Sequence, residues 1–267
     1  MFGMTAVLET LDLTIRFGGH VAVDAVSCAF EAGTLTAIVG PNGAGKTTYF
    51  NLISGQLSAS AGKVLLDGHD ITKMPAPLRT RRGLGRAFQL TQLFPNLTVQ
   101  ENVRLAVQAR EQGRKQGRGG EWAGIDLLRV WLDHKAWIDE ARAILDTVRL
   151  GDKAAASAAS LPHGDQRKLE VALLIALDPK VYMFDEPTAG MSVDEVPVVL
   201  DLIRALKAKR ERTILLVEHK MDVVRELADR IIVLHNGQLV ADGEPAAVIA
   251  SPVVQQAYLG IAAEVAA

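Results

Sequence analysis

Residues 40–47 have the types and spacing of a phosphate-binding loop. They read Gly-Pro-Asn-Gly-Ala-Gly-Lys-Thr, which fits the pattern G-x-x-x-x-G-K-[ST]. Glycines allow a tight loop whose backbone N–H groups point at phosphate oxygens, and a helix that follows adds its positive N-terminal end. Lys46 is placed to reach the β- and γ-phosphates of a nucleotide, and the Thr47 hydroxyl is placed to ligate Mg²⁺.

Two adjacent carboxylates form a second candidate site. Residues 181–184 are apolar and predict a buried strand, and Asp185 and Glu186 follow them directly. Ligands bind at the carboxyl ends of strands in open α/β sheets. Asp185 can therefore hold Mg²⁺, directly or through water, and Glu186 is the candidate general base or water-positioning residue. An exposed acidic turn is the alternative, and the phosphate loop upstream argues against it.

The elements around these residues predict a mostly parallel α/β sheet. The apolar run 35–39 reads as a buried strand before the loop, and 48–53 reads as the start of a helix, which is the context that the motif needs. Further strands are predicted at 7–17, 21–30, 63–66, 181–184, 213–217, 231–234 and 238–240. Asn236 and Gly237 predict a tight hairpin turn between the last two.

The middle of the chain predicts a mostly helical insertion from about residue 90 to 160. Thr98 and Glu101 have capping-box spacing, so a helix should start there. Residues 112–120 lack an apolar face and predict a mobile, basic loop, part of a long loop predicted at 111–131. Later helices are expected at 169–177 and 196–208.

Composition narrows the class of protein. The chain has 267 residues, 29 Lys and Arg against 31 Asp and Glu, and one cysteine, Cys28. The formal charge of −2 gives no support for a nucleic-acid partner, and a single cysteine excludes a disulfide scaffold. The sequence shows neither a signal peptide nor an apolar run long enough to span a bilayer. We expect a soluble chain, or one held at a membrane by a partner.

In the order and spacing of its motifs, the chain resembles the ATP-binding subunit of an ABC transporter. Within that family it is most similar to the subunit of branched-chain amino-acid importers. The resemblance runs from about residue 7 to 260. It implies a P-loop NTPase fold, an ABC ATPase core with a β-rich N-terminal subdomain and an inserted helical subdomain. The implied ranges are 1–88 with 161–240 for the core, 89–160 for the helical subdomain and 241–267 for a C-terminal tail packed on the core.

The same resemblance assigns roles to single residues. Glu186 stands at the catalytic glutamate, Gln89 at the glutamine that contacts Mg²⁺ and the attacking water, and His219 at the histidine that touches the γ-phosphate. The expected catalytic residues are Glu186, His219, Gln89 and Lys46. Phe17 is expected to stack on adenine. The residues expected to bind ATP are Phe17, Gly40, Pro41, Asn42, Gly43, Ala44, Gly45, Lys46, Thr47 and Thr48. The expected Mg²⁺ ligands are Thr47, Gln89 and Asp185.

Residues 161–166 fall at the family's signature motif, usually written LSGGQ. This segment is implied to open a helix and to cap the γ-phosphate of ATP on a partner subunit, through Pro162, His163, Gly164, Asp165 and Gln166. Two departures are evident: Pro162 replaces the serine and His163 replaces a glycine. Proline is compatible with the first helical position. A further departure is Ser192, where the family's D-loop usually has aspartate.

The implied partners are a second ATP-binding subunit, two membrane permease subunits and, indirectly, a periplasmic or extracellular solute-binding protein. The resemblance favours a paralogue over a second copy as the other ATP-binding subunit. It implies a location at the cytoplasmic face of the inner membrane, through the permease subunits. One alternative is the ATPase of lipopolysaccharide export, against which the long segment 111–131 argues. Another is a soluble ABC ATPase of iron–sulfur assembly, DNA repair or translation, against which the single cassette and single cysteine argue.

Overall fold

The computed structural model of the chain describes residues 6–87, 93–116 and 127–259. Within these ranges the strands are β1 (Ala6–Phe17), β2 (His20–Glu31), β3 (Leu35–Val39), β4 (Ala61–Leu66), β5 (His69–Asp70), β6 (Leu84–Ala87), β7 (Val181–Asp185), β8 (Thr213–Val217), β9 (Arg230–His235) and β10 (Gln238–Gly243). The α-helices are α1 (Lys46–Ser54), α2 (Ala76–Arg81), α3 (Val99–Gln116), α4 (Leu127–Thr147), α5 (His163–Leu177), α6 (Val196–Ala208), α7 (Met221–Leu227), α8 (Pro245–Ala250) and α9 (Pro252–Leu259).

By backbone contacts the chain forms two compact units. The first contains the residues up to 86, residues 180–186 and the residues from 206 onward; the second contains 87–179 and 187–205. Helix α5 therefore lies in the second unit. The domain ranges expected from the sequence stay a prediction.

The first unit contains two sheets. One is antiparallel with strand order β2-β1-β4-β5, and the other has the order β10-β9-β3-β8-β7-β6. In the second sheet β3 runs parallel to β8 and β9, β7 runs parallel to β8, and β10 returns antiparallel to β9. All five residues of β3, β7 and β8 are buried, which explains their continuous apolar runs.

Helix α1 anchors the phosphate loop to the core of this unit. Tyr49, Phe50 and Ile53 are fully buried in a cluster that includes strand residues of both sheets. A second cluster joins Val248 of α8 and Val254 of α9 to β3 and β9. Because α1 is held by large buried side chains, the loop at its N-terminus has a fixed base.

The second unit is mainly helical. Helix α3 packs on α4 and α5. The predicted capping box is confirmed, because the Thr98 N–H donates to Glu101 Oε2 at 2.9 Å and the Glu101 N–H donates to Thr98 Oγ1 at 3.1 Å. Nowhere in the described ranges is a helix both long enough and apolar enough to cross a bilayer.

Two predictions about helix ends were wrong. The apolar period predicted helix α5 from residue 169, but the helix begins at His163, because its first turns carry paired charged residues rather than an apolar face. The start at His163 lies within residues 161–166, where the resemblance implied that a helix opens. Segment 111–131 was predicted as a loop, but α3 continues to residue 116 and α4 starts at 127. Glutamate, glutamine, lysine and arginine are good helix formers without any apolar face. Arg110 also ties α3 to α4 through Glu140, at 2.8 Å and 2.9 Å. Residues 117–126 lie outside the described ranges.

Candidate functional site

The parallel register of three strands brings distant motifs to one edge of the sheet. Ile38 of β3 and Asp185 of β7 are both paired with Val217 of β8. The phosphate loop follows β3, Glu186 follows β7, and His219 lies two residues beyond β8. Residues separated by more than 170 positions in sequence therefore meet at the carboxyl ends of adjacent strands, where α/β sheets bind ligands.

A cavity of about 290 Å³ lies at this edge. Its lining residues are His20, Ala22, Asn42, Gly43, Ala44, Gly45, Lys46, Thr47, Thr48, Glu186 and His219. The expected adenine contact, Phe17, is 50% exposed at the end of β1 and is paired in register with His20. His20 was missed by the sequence analysis, and only its place across the hairpin from Phe17 could have indicated it.

Glycines shape the phosphate loop where other residues would clash. Gly45 caps α1 with φ at 94°, and a Cβ there would lie 2.5 Å from the Ala22 carbonyl oxygen. Gly40 has φ at 153°, and a Cβ there would overlap the Leu234 carbonyl oxygen. The Gly237 N–H of the predicted hairpin turn donates to Ala44 O at 3.1 Å, so β9 and β10 support the loop.

Lys46 is held over its own loop. Its Nζ donates to the carbonyl oxygens of Gly40 at 2.7 Å and Pro41 at 2.9 Å, and its side chain is only 6% exposed. Burial lowers the pKa of Lys46, while the negative charges of Glu186 and Asp185 oppose that shift. The cation therefore lies within electrostatic range of both carboxylates.

Glu186 has a backbone conformation that few residues of its type adopt. Its φ is 51°, in the left-handed region, and its N–H donates to Val217 O at 2.9 Å. Its Oε1 accepts a hydrogen bond from His219 Nε2 at 2.7 Å, and both side chains are 38% exposed. Strained backbone persists where surrounding structure enforces it, commonly at functional sites. The Glu186 and His219 side chains both line the cavity.

Comparisons with known proteins show the family of the chain. The model of the ABC transporter family matches residues 23–189. The chain belongs to the ABC transporter family. The high-affinity branched-chain amino acid transport ATP-binding protein BraF of Pseudomonas aeruginosa is 36% identical over 255 residues, which are 95% of this chain and 98% of BraF. LivG of Escherichia coli strain K12, with the same description, is 35% identical over 257 residues, with 95% and 98% coverage.

A solved structure gives the fold of this ABC cassette. The ADP conformation of MJ1267, an ATP-binding cassette of an ABC transporter, superposes with a TM-score of 0.76 at 29% identity. The alignment covers 96% of this chain and 100% of that one. The family and the fold class predicted from the sequence are therefore confirmed.

The donor set at the cavity suits Mg²⁺ only together with phosphate oxygens. Across the described ranges, no three or more His, Cys, Asp and Glu side chains cluster as a metal site. Thr47 lines the cavity, and Asp185 ends β7 beside Glu186. One hydroxyl and one carboxylate, completed by phosphates and water, is a typical magnesium environment. Gln89, the third expected ligand, lies outside the described residues.

Residues 161–166, the expected signature segment, lie in the second unit. Pro162 is the N-cap of α5 rather than its first helical residue, and His163 begins the helix. Asp165 is buried and accepts hydrogen bonds from Lys168 Nζ at 2.8 Å and from Lys153 Nζ. These ion pairs keep the pKa of Asp165 below its usual value although burial acts to raise it. Asp165 stands where the pattern LSGGQ has its glutamine, which is a third departure that the sequence analysis overlooked.

Glu195 is a further residue at this segment that sequence reasoning missed. Its carboxylate lies against Gly164, because a Cβ added to Gly164 would overlap the carboxylate atoms. Glu195 Oε2 also accepts from the Ser192 N–H at 3.2 Å and from Ser192 Oγ at 2.9 Å. Ser192 and Glu195 have capping-box spacing ahead of α6, which is the signal that could have indicated this pair.

Proposed function

We propose that this chain is the ATP-binding and ATP-hydrolysing subunit of an ABC importer, acting through partner permease subunits. The proposed cargo is branched-chain or other hydrophobic amino acids, or related small solutes. The proposal that the chain hydrolyses ATP rests on the Glu186–His219 pair at the cavity lined by the phosphate loop. The cargo class is supported by BraF and LivG, whose descriptions name branched-chain amino acid transport. Those same relatives favour this reading over lipopolysaccharide export and over a soluble ABC ATPase.

In the proposed mechanism the loop and Lys46 bind the phosphates of ATP. Backbone N–H groups of the loop and the N-terminus of α1 supply donors and positive potential, and the ammonium of Lys46 adds a point charge. Thr47 and Asp185 would hold Mg²⁺, which when bound neutralises charge on the β- and γ-phosphates. The aromatic face of Phe17, beside His20, is proposed to stack on adenine.

Glu186 is the proposed general base. Its carboxylate takes a proton from the attacking water while the water oxygen forms a bond to the γ-phosphorus and the bond to the ADP oxygen breaks. His219 Nε2 donates to the Glu186 carboxylate and orients it, and both side chains line the cavity. The pair therefore holds the general base in position for water activation.

The proposed assembly contains a second ATP-binding subunit, with a paralogue favoured over a second copy. The N-terminus of α5, from Pro162 to Gln166, would cap the γ-phosphate of ATP on that subunit. Two permease subunits would place the assembly at the cytoplasmic face of the inner membrane, and a periplasmic or extracellular solute-binding protein would deliver the cargo indirectly.

Copurification tests the proposed function. We expect the tagged chain, isolated from gently solubilised membranes, to carry a permease pair and a second ATP-binding subunit. We also expect an amino-acid-loaded binding protein to stimulate ATP turnover of that assembly in proteoliposomes. Recovery with ribosomes or DNA and without a permease would contradict the transport proposal and favour a soluble ABC ATPase.

Membrane association should depend on the permease. The formal charge is −2, and the described residues include no helix that could cross a bilayer. We expect the isolated chain to stay in the supernatant after centrifugation with neutral or anionic vesicles at physiological salt. Proteoliposomes that contain the permease should sediment it. Stable binding to protein-free anionic vesicles would overturn this expectation and indicate a direct lipid contact.

Restoring the serine of the signature should strengthen the ATP-bound dimer. Pro162 offers no side-chain cap to α5. A serine hydroxyl at this position can cap a helix or donate to a phosphate, and a hydrogen bond to a charged acceptor contributes about 1.5–3 kcal/mol. Losing the fixed backbone angle of proline costs only roughly 0.4–1 kcal/mol. We therefore expect Pro162→Ser to raise the dimer fraction with MgATP in a Glu186→Gln background, measured by light scattering. An unchanged or lower fraction would mean that backbone N–H groups already suffice.

A further inference from the structure

A buried arginine to which the sequence analysis gave no role lies behind the proposed metal site. Arg86 of β6 donates from Nη2 to Asp185 Oδ2 at 2.6 Å, and the two side chains are 7% and 5% exposed. The two hydrogens of its other terminal nitrogen, Nη1, are shared among Asn51 Oδ1 at 2.6 Å, Ser54 Oγ at 2.9 Å and Gln56 Oε1 at 2.8 Å. One guanidinium therefore joins the aspartate to the end of α1 and the turn after it.

Neutral groups fix this guanidinium independently of the aspartate. The three acceptors at Nη1 are uncharged, and the guanidinium carbon lies 5.3 Å from the centroid of the Phe50 ring. Such a cation over an aromatic face is itself attracted to the ring. Arg86 can therefore keep its position while the Asp185 carboxylate shares its charge with a second cation.

The bond to Arg86 also fixes the orientation of the carboxylate. It occupies one of the two carboxylate oxygens of Asp185, so the other oxygen is the one available to a metal or to its water. Removing a partner that orients a metal ligand in this way typically costs about 10-fold to 100-fold in metal affinity.

We propose that Arg86 is a positioning residue of the ATPase reaction, which sets the Asp185 carboxylate for Mg²⁺ and couples it to the helix that carries the phosphate loop. The inference rests on the proposed function, because it needs MgATP as the ligand. Lysine cannot replace arginine in this role. An ammonium is a single point charge, whereas the planar guanidinium donates in two directions from separate nitrogens.

The test compares ATP affinity with excess Mg²⁺ and with EDTA, using a fluorescent ATP analogue as the probe. The measured ratio is the affinity with Mg²⁺ divided by the affinity with EDTA. For Arg86→Gln we expect this ratio to fall by about 10-fold to 100-fold, the usual effect of removing a partner of a metal ligand. Affinity in EDTA should stay near wild type. Arg86→Lys should not restore the ratio. The matched control is Arg230→Gln, which removes an ion pair with Asp242 away from the cavity and should leave the ratio unchanged.

A double variant separates positioning from folding. Arg86→Gln leaves the buried Asp185 carboxylate without its cation, which can destabilise the fold. The double variant Arg86→Gln with Asp185→Asn removes both charges. Thermal unfolding reports whether each variant folds. If Arg86 acts through Asp185, its removal changes the ratio no further in the Asp185→Asn background. A further fall there, an equal loss with Mg²⁺ and EDTA, or a ratio that rises would overturn the proposal. A wild-type chain whose ATP affinity ignores Mg²⁺ would instead contradict the metal site of the proposed function.

Discussion

We expect Glu186→Gln to remove most ATP turnover while ATP binding survives. Glu186 follows the last residue of β7 and has a positive φ, and its carboxylate lines the cavity. Its Oε1 is 2.7 Å from His219 Nε2. Glutamine keeps the size and one oxygen acceptor but cannot take a proton from water. Loss of a general base costs roughly 10²-fold or more in turnover. Phosphate release under saturating MgATP measures turnover, and equilibrium binding of the nucleotide measures affinity.

The control for this substitution is Glu211→Gln, which removes an exposed carboxylate just before β8. It should leave turnover unchanged. If Glu186→Gln keeps turnover within a factor of about three of wild type, Glu186 is not the base. We propose that the base and the histidine act as one unit, so a double variant with His219→Ala should be scarcely slower than Glu186→Gln alone. Multiplied losses would show that the two residues act in separate steps.

Sequence predicted best what depends on local chemistry. The phosphate loop follows from glycines at fixed spacing, and the hairpin turn follows from Asn236 and Gly237, which both adopt positive φ in the structure. The capping box at Thr98 and Glu101 is local in the same sense. Each of these features is specified by residues within a few positions of each other, so a pattern in the sequence suffices to find it.

What the sequence could not give depends on the register of distant segments. Arg86 and Asp185 are 99 positions apart and meet only because β6 and β7 are neighbours in the sheet. The strained φ of Glu186 and the approach of Glu195 to Gly164 likewise arise from tertiary packing. The apolar period placed the start of helix α5 too late, because paired charges, such as Asp165 with Lys168, replace that period in its first turns.

Removing Lys46 should weaken MgATP binding far more than adenosine binding. The ammonium has three donors, of which Gly40 O and Pro41 O take two, so the third can meet a phosphate without breaking the loop contacts. A charge-assisted contact to the β- and γ-phosphates contributes about 2–4 kcal/mol, or about 30-fold to 700-fold in affinity.

The competing effect of Lys46→Ala is a looser phosphate loop. Each lost hydrogen bond to a carbonyl is worth roughly 0.5–1.5 kcal/mol or somewhat more for a charged donor, and this loss also lowers stability. A looser loop should weaken the binding of every ligand that contacts it, whereas loss of the charge should weaken the binding of phosphates alone. We therefore expect calorimetry to give a large loss for MgATP and a small one for adenosine, with a modest fall in the melting temperature. Lys46→Met, which keeps much of the side-chain volume, should lose MgATP affinity to the same degree. Equal losses for both ligands would mean that Lys46 supports the loop and that its charge is not what holds the phosphates.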